Sequence, residues 1–195
     1  MGVIANPEHR IGIFIDIQNL YHSAKHLHGS RVNYRELLNH LTAGRRLIRT
    51  LAYVVTSDPQ TGEDAFFDAL EKSGIELRNK ELQTFSSGAK KADWDVGMAV
   101  DIIRMAHGFD VIIIVTGDGD FIPLVEYLQT GLGKIVEVAA FARTASGKLK
   151  EQADEFIDID GIPKVIFRTE KSRKKSPVKE KQTTPKKYES RKKTV

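Results

Sequence analysis

The sequence predicts a three-layer α/β domain in which a mainly parallel sheet is flanked by helices. Two observations carry that prediction. Apolar runs of strand length alternate with segments of helical periodicity about five times, with short connections, which is the pattern of β-α-β units. At the centre, Val111 to Val115 is an unbroken β-branched run, Val-Ile-Ile-Ile-Val, which suits a strand covered on both faces better than one with a wet side. A length of 195 residues accommodates one such domain and a tail rather than two domains.

Taken in order, residues 11–15 form the first strand, which ends at Asp16, and a helical pattern follows to about residue 28. Residues 32–41 read as a second helix with Asn33 at its cap. Residues 47–55 are the next strand, interrupted by Arg49 and Thr50. A turn cluster at 57–62 leads into a helix over 63–73 that closes at Gly74, then a strand over 75–82 and a loop over 84–89. Residues 93–107 form a helix that is apolar nearly all round, as expected of one packed into a core, with Asp93 in the cap position. After the central strand, a helix over 121–130 is expected with Asp120 as its N-cap, Pro123 in its first turn and Gly131 beyond its end. A strand over 134–141, a short helix over 146–153 and a last or edge strand over 156–159 complete the fold.

From about residue 170 the chain turns to Lys, Ser, Thr, Pro and Glu with almost nothing apolar, so the reading divides it into a domain over 1–167 and a disordered basic tail over 168–195. Residues 171–195 hold 11 of the 30 Lys and Arg but 2 of the 26 Asp and Glu, a balance of +9 against −5 for the rest. An acidic body thus carries a basic arm. The chain has no apolar run of membrane-spanning length, and its first residues lack the regions of a secretory signal, so a cytoplasmic location and no membrane partner are expected. The absence of cysteine removes disulfides, thiolate chemistry and sulfur-bound zinc together. None of the six histidines sits in an H-E-x-x-H spacing, and neither a G-x-G-x-x-G after the first strand nor a Walker lysine loop is present.

The carboxylates are placed less evenly than a solvated surface requires. Thr116-Gly117-Asp118-Gly119-Asp120 breaks the central run abruptly, with two glycines that allow a tight turn and two acids one residue apart. Asp16 stands at the end of the first strand. On a helical wheel Ala99, Ile102, Ile103 and Ala106 fall within about 80° of Asp95, which turns that acid inward. Asp101 falls on the other side near Arg104, as an exposed or locally paired acid would. Bland readings exist for each: a cap for Asp120, a hydrogen bond to a neighbouring turn for Asp95. In doubly wound sheets, however, the first strand usually neighbours a later central strand at the switch point, and acids meeting there need a cation. Oxygen donors without Cys or paired His select Mg²⁺ or Mn²⁺, and hydrolysis of a phosphodiester is the reaction class that follows.

These residues also resemble a family. Phe14-Ile15-Asp16-Ile17-Gln18-Asn19-Leu20 is similar to the opening Asp-x-x-Asn motif of NYN domains, relatives of the PIN-like ribonucleases. Asp93-Trp94-Asp95-Val96-Gly97-Met98-Ala99-Val100-Asp101 resembles the helix motif of their LabA-like branch, and Val115-Thr116-Gly117-Asp118-Gly119-Asp120-Phe121-Ile122-Pro123-Leu124 resembles the family's Ser-Gly-Asp-Ser-Asp-Phe-x-Pro-Leu. The likeness spans about residues 10 to 160. It implies a PIN-like, Rossmann-like fold, catalysis by Asp16, Asn19, Asp95, Asp118 and Asp120, and Mg²⁺ or Mn²⁺ on Asp16, Asp95, Asp118 and Asp120, with Asp101 as a second-tier ligand. Asn19 would orient a water or a phosphate, or merely cap a helix. The implied substrate is RNA. A single strand is expected because a flexible backbone can fit its phosphate into the crevice, the +9 tail is expected on its phosphates from charge alone, and a homodimer is a further candidate partner. Thr116 and Gly119 replace the family's serines; Thr116 keeps a hydroxyl, Gly119 loses one. A module that binds RNA without cleaving it is the main alternative. A phosphotransferase with Asp16 as nucleophile is disfavoured, because Asp16-Ile17-Gln18 lacks the second acid of an Asp-x-Asp.

Overall fold

The computed structural model describes residues 6–56, 64–81, 83–84, 90–91 and 94–167. In chain order these form β1 (Arg10–Asp16), α1 (Ile17–His28), α2 (Tyr34–Thr42), β2 (Arg46–Thr56), α3 (Asp64–Glu71), β3 (Glu76–Glu81), β4 (Gln83–Thr84), β5 (Lys90–Lys91), α4 (Asp95–Met105), β6 (Val111–Val115), α5 (Ile122–Glu126), β7 (Ile135–Ala140), α6 (Gly147–Gln152) and β8 (Glu155–Asp158). Six strands make one sheet in the order β3-β2-β1-β6-β7-β8, with every neighbouring pair parallel. The chain builds outward from β1 to β3 on one side, then returns to β6 beside β1 and builds outward to β8 on the other. The order therefore reverses between β1 and β6, and the crevice above their carboxyl ends is the switch point.

The β-branched run explains why β6 is central. All five of its residues are buried, and the two-residue period sends Val111, Ile113 and Val115 to one core and Ile112 and Ile114 to the other. On the first face they meet Leu20 and Ala24 of α1, Leu37 and Leu41 of α2 and Leu70 of α3. On the second they meet Met98 and Ile102 of α4, Val125 of α5 and Leu149 of α6. Burying each such aliphatic side chain contributes roughly 1.5–3 kcal/mol, so the middle strand holds both layers to the sheet. Gly12 of β1 makes room for the Phe109 ring, which a Cβ there would meet at 2.8 Å, and Phe109 packs edge-on against Phe14 at 5.8 Å. A glycine inside a strand marks such a close approach.

Several boundaries differ from the sequence reading for physical reasons. β2 runs through Arg49 and Thr50, read as an interruption of the strand, and extends to Arg46 and Thr56; the register with β1 shifts between Ile11 and Gly12, and Arg49 reaches sideways to Glu76 on β3. The helix over 93–107 begins at Asp95, gives way to a 3-10 turn at Ala106–Gly108, and is not buried all round. Val96, Val100 and Ile103 are 75%, 47% and 37% exposed, because only the stripe of Met98, Ile102 and Ala106 faces the sheet. The expected loop at 84–89 is bracketed by an antiparallel pairing of β4 with β5. The turn at 57–62, most of that loop, Asp93 and the tail at 168–195 lie outside the described residues. Among the described residues, no helix is long and apolar enough to cross a membrane.

Candidate active site

The crevice is assembled by hydrogen bonds that cross between β1 and β6. Asp16 ends β1 and is the N-cap of α1: its Oδ1 accepts from the backbone N–H of Asn19 at 3.0 Å. The parallel register sets Ile15 beside Val115, so the residues that follow on each strand meet. Thr116, which is buried, donates from Oγ1 to Asp16 Oδ2 at 3.3 Å, and the same Oγ1 accepts from the backbone N–H of Asp118 at 3.3 Å. Asn19 is therefore not the cap. Its Oδ1 accepts from the backbone N–H of Gly117 at 2.9 Å, and that donor fixes which end of the amide is oxygen.

The turn itself is capped by a different acid from the one expected. Asp118 leaves β6 in extended geometry, and its Oδ1 accepts from the Asp120 N–H at 3.0 Å, capping a 3-10 turn over Gly119–Phe121. Asp120, the expected N-cap, lies inside that turn because α5 does not start until Ile122, and α5 has no side-chain cap. Nor do the two glycines serve positive φ, which among the glycines described is confined to Gly29, Gly44, Gly74 and Gly133. They admit the loop after β7 instead. A Cβ on Gly117 would lie 3.1 Å from Ala145 Cα, and one on Gly119 would lie 3.0 Å from Ser146 Oγ, while Ser146 donates its backbone N–H to Gly117 O at 2.9 Å.

Asp95, the first residue of α4, brings the third acid. One carboxylate oxygen from each of Asp95, Asp118 and Asp120 lies within 4.8 Å of the others; Asp95 and Asp118 are half-buried and Asp120 is exposed. The residue before it holds the helix in place, a role the sequence reading missed. Trp94 donates its indole N–H to Val54 O on β2 at 2.8 Å and stands edge-on to Tyr53 at 5.5 Å. Its ring lies so close to Gly97 that a Cβ there would be 2.5 Å away. A tryptophan next to an acid with a glycine three residues on was the available signal.

Asp16 lies beside this group of three rather than within it. Burial pushes its carboxyl above the ordinary range, against the pull of the Asn19 N–H and the Thr116 hydroxyl, and the Asp118 charge adds to the rise. The structure gives Asp101 other partners: the Tyr53 hydroxyl donates to its Oδ2 at 3.3 Å, Arg78 Nε is 3.4 Å from the same oxygen, and Arg104 is 3.9 Å from Oδ1. The wheel predicted an exposed acid or one paired locally near Arg104; Arg104 is there, but the nearer partners come from β2 and β3, and the side chain is only 19% exposed.

A parallel three-layer sheet with acids converging at its switch point is the architecture of the PIN-like nuclease superfamily. Within that class, the model of the NYN domain matches residues 10–160, and the chain belongs to the NYN domain family, in its LabA-like branch. It is 30% identical over 171 residues to the low amplitude and bright protein LabA of Synechococcus elongatus, a match covering 83% of this chain and 90% of that one. A solved structure of a protein of unknown function from Vibrio parahaemolyticus is also 30% identical, with a TM-score of 0.76 over 85% of this chain and 100% of that one.

Proposed function

We propose that the chain is a ribonuclease that hydrolyses phosphodiester bonds of single-stranded RNA, with Mg²⁺ or Mn²⁺ held by Asp95, Asp118 and Asp120 and with Asp16 beside them. The observation that carries this reading is the approach of three carboxylate oxygens, from two separate elements, to within 4.8 Å at the switch point. Like charges so placed repel one another unless a cation is shared, and an all-oxygen donor set matches the hard cations rather than zinc. When bound, such a cation supplies positive charge for a phosphoryl oxygen and acidity for an attacking water.

The chain's own groups do the rest. Asp118 and Asp120 are held by the capped turn, Asp95 by the Trp94 anchor, and Asp16 by Thr116 and Asn19. Asn19 has its oxygen committed to Gly117, which leaves its amide N–H groups as the donors for a phosphate or a water. An unpaired strand suits the site, since a flexible backbone can lay one phosphate into a carboxylate-lined crevice that a stiff duplex would span. The acidic body repels that polyanion at long range, and the basic segment over 171–195 supplies the attraction.

Incubating the full chain with single-stranded RNA in Mg²⁺ or Mn²⁺, with and without chelator, tests the reading. Cleavage that chelator stops is expected. A second reading, a module that binds RNA without cutting, draws on Asp16, whose oxygens are both engaged and whose burial favours the neutral form. Stable RNA binding with no turnover in either cation, across several RNA structures, would decide for it.

A further inference from the structure

The hydroxyl of Ser146 is out of place for its position in the chain. Ser146 is the residue before α6, where a serine side chain ordinarily accepts a backbone N–H of the first turn, yet it makes no such bond. Its Oγ instead sits 3.0 Å from the point where Gly119 would carry a Cβ, between Asp118 and Asp120 in sequence and over the turn that presents them. Among the described residues that hydroxyl has no hydrogen-bond partner, although Ser146 is half-buried. The backbone around it is fixed by the bond from Ser146 N–H to Gly117 O, so the hydroxyl is held at the acid turn rather than drifting past it.

The hydroxyl is not one of the buried polar atoms left without a partner, so water reaches it, and an anion bound at the turn would take that water's place. The turn has no hydroxyl of its own at position 119, and a side chain there would compete for the space that Ser146 fills. The two facts fit together: the hydroxyl reaches the turn from the loop after β7, and the glycine is what lets it in. Over the turn that carries Asp118 and Asp120, a neutral O–H can donate to an anion without drawing a proton or an ion pair away from the acids.

We propose that Ser146 Oγ donates a hydrogen bond to a phosphate oxygen of the RNA strand lying against Asp118 and Asp120, making it a substrate-binding residue of the proposed active site. The inference rests on the nucleic-acid reading of that site but not on cleavage. A single-stranded RNA oligonucleotide in Mn²⁺ is the probe, with affinity and metal binding measured separately on the full chain. Ser146→Ala is expected to weaken RNA affinity about tenfold, the effect of one hydrogen bond to a charged group, while Mn²⁺ affinity without RNA and the melting temperature stay unchanged. Moving the hydroxyl across the gap, with Gly119→Ser and Ser146→Gly together, should return affinity to within about threefold of the wild type. Unchanged affinity in Ser146→Ala overturns the contact. So does a matching loss of Mn²⁺ affinity in the absence of RNA, which would make the hydroxyl part of the metal's surroundings. No recovery in the exchanged pair, with melting intact, would assign the effect to loop packing. A wild-type chain that binds RNA without cutting it removes the ribonuclease reading and leaves this one; one that does not bind RNA removes both.

Discussion

Asn19 Oδ1 accepts the backbone N–H of Gly117 at 2.9 Å, so the first turn of α1 is bonded directly to the turn that carries Asp118 and Asp120. Substituting Asn19 by alanine leaves that N–H without its acceptor, which costs about 1–3 kcal/mol if water cannot replace it. Asn19→Ala should lower the urea midpoint accordingly and reduce RNA turnover more than RNA affinity, because the acid turn loses its tie to α1. A variant with full stability and full turnover would show that the bond is incidental.

Asp16→Asn should behave oppositely in metal-free buffer. The folded carboxyl titrates above its ordinary value, so its contribution to stability is fully present below that ordinary value and is lost as pH rises through the raised one. At neutral pH the charged wild type carries that cost and the amide does not, while asparagine keeps the N-cap acceptor. The variant should therefore melt higher than the wild type at pH about 7 and match it near pH about 3.5, below the ordinary carboxylate value. A wild type that is the more stable at neutral pH without metal would contradict this. The same substitution should abolish RNA cleavage.

The part of this site that was legible in the sequence is the part that depends on pattern. The run at Val111–Val115 implied a strand buried on both faces, and acids at the ends of two apolar runs implied a meeting at the switch point, because parallel connectivity allows few other arrangements. Helical periodicity turned Asp95 toward the crevice, but it did not reveal that Asp101 reaches across to Tyr53 of β2 and Arg78 of β3. What could not be read was which residue bonds which. That Asp118 rather than Asp120 caps the turn depends on a 3-10 entry that delays α5 to Ile122, and propensity does not reveal it. Gly117 and Gly119 looked like turn residues, yet their reason is the approach of Ala145 and Ser146 from a loop about 28 positions away in sequence, a contact that only the folded sheet creates. The exposed face of α4 was misjudged because valine and isoleucine read as core wherever they occur.

Asp110 gives a pH signature of the other sign. It accepts from the Arg10 backbone N–H at 2.9 Å, from Nε at 3.0 Å and from Nη2 at 2.6 Å, tying the start of β6 to the start of β1. These bonds hold its carboxyl well below the usual range, so the stability they provide is present above the ordinary value and is lost as pH falls through the depressed one. Asp110→Asn should lower the melting temperature at neutral pH, and the gap to the wild type should narrow as pH drops below about 4. A gap that is constant across acid pH would mean the pair contributes through packing alone. High salt should shrink it as well, since both side chains are partly exposed.

The basic segment over 171–195 should set RNA affinity and leave the chemistry alone. If its lysines and arginines each neutralise a phosphate, log affinity falls with log salt by about 0.7 per contact, and deleting the segment flattens that slope. The truncated chain should keep its melting temperature and its response to Mn²⁺. Equal slopes in the two forms would show that the segment does not touch the strand.

Asp95, Asp118 and Asp120 are proposed to act together as one cation site, and a Mn²⁺ titration of the melting temperature tests this. Binding to the folded state alone raises stability by about 2.7 kcal/mol when the free cation is a hundredfold above its dissociation constant, so the wild-type transition should climb steadily with Mn²⁺. Asp95→Asn, Asp118→Asn and Asp120→Asn should each fold without metal and lose most of that climb. A rise that persists undiminished in all three variants would contradict the site.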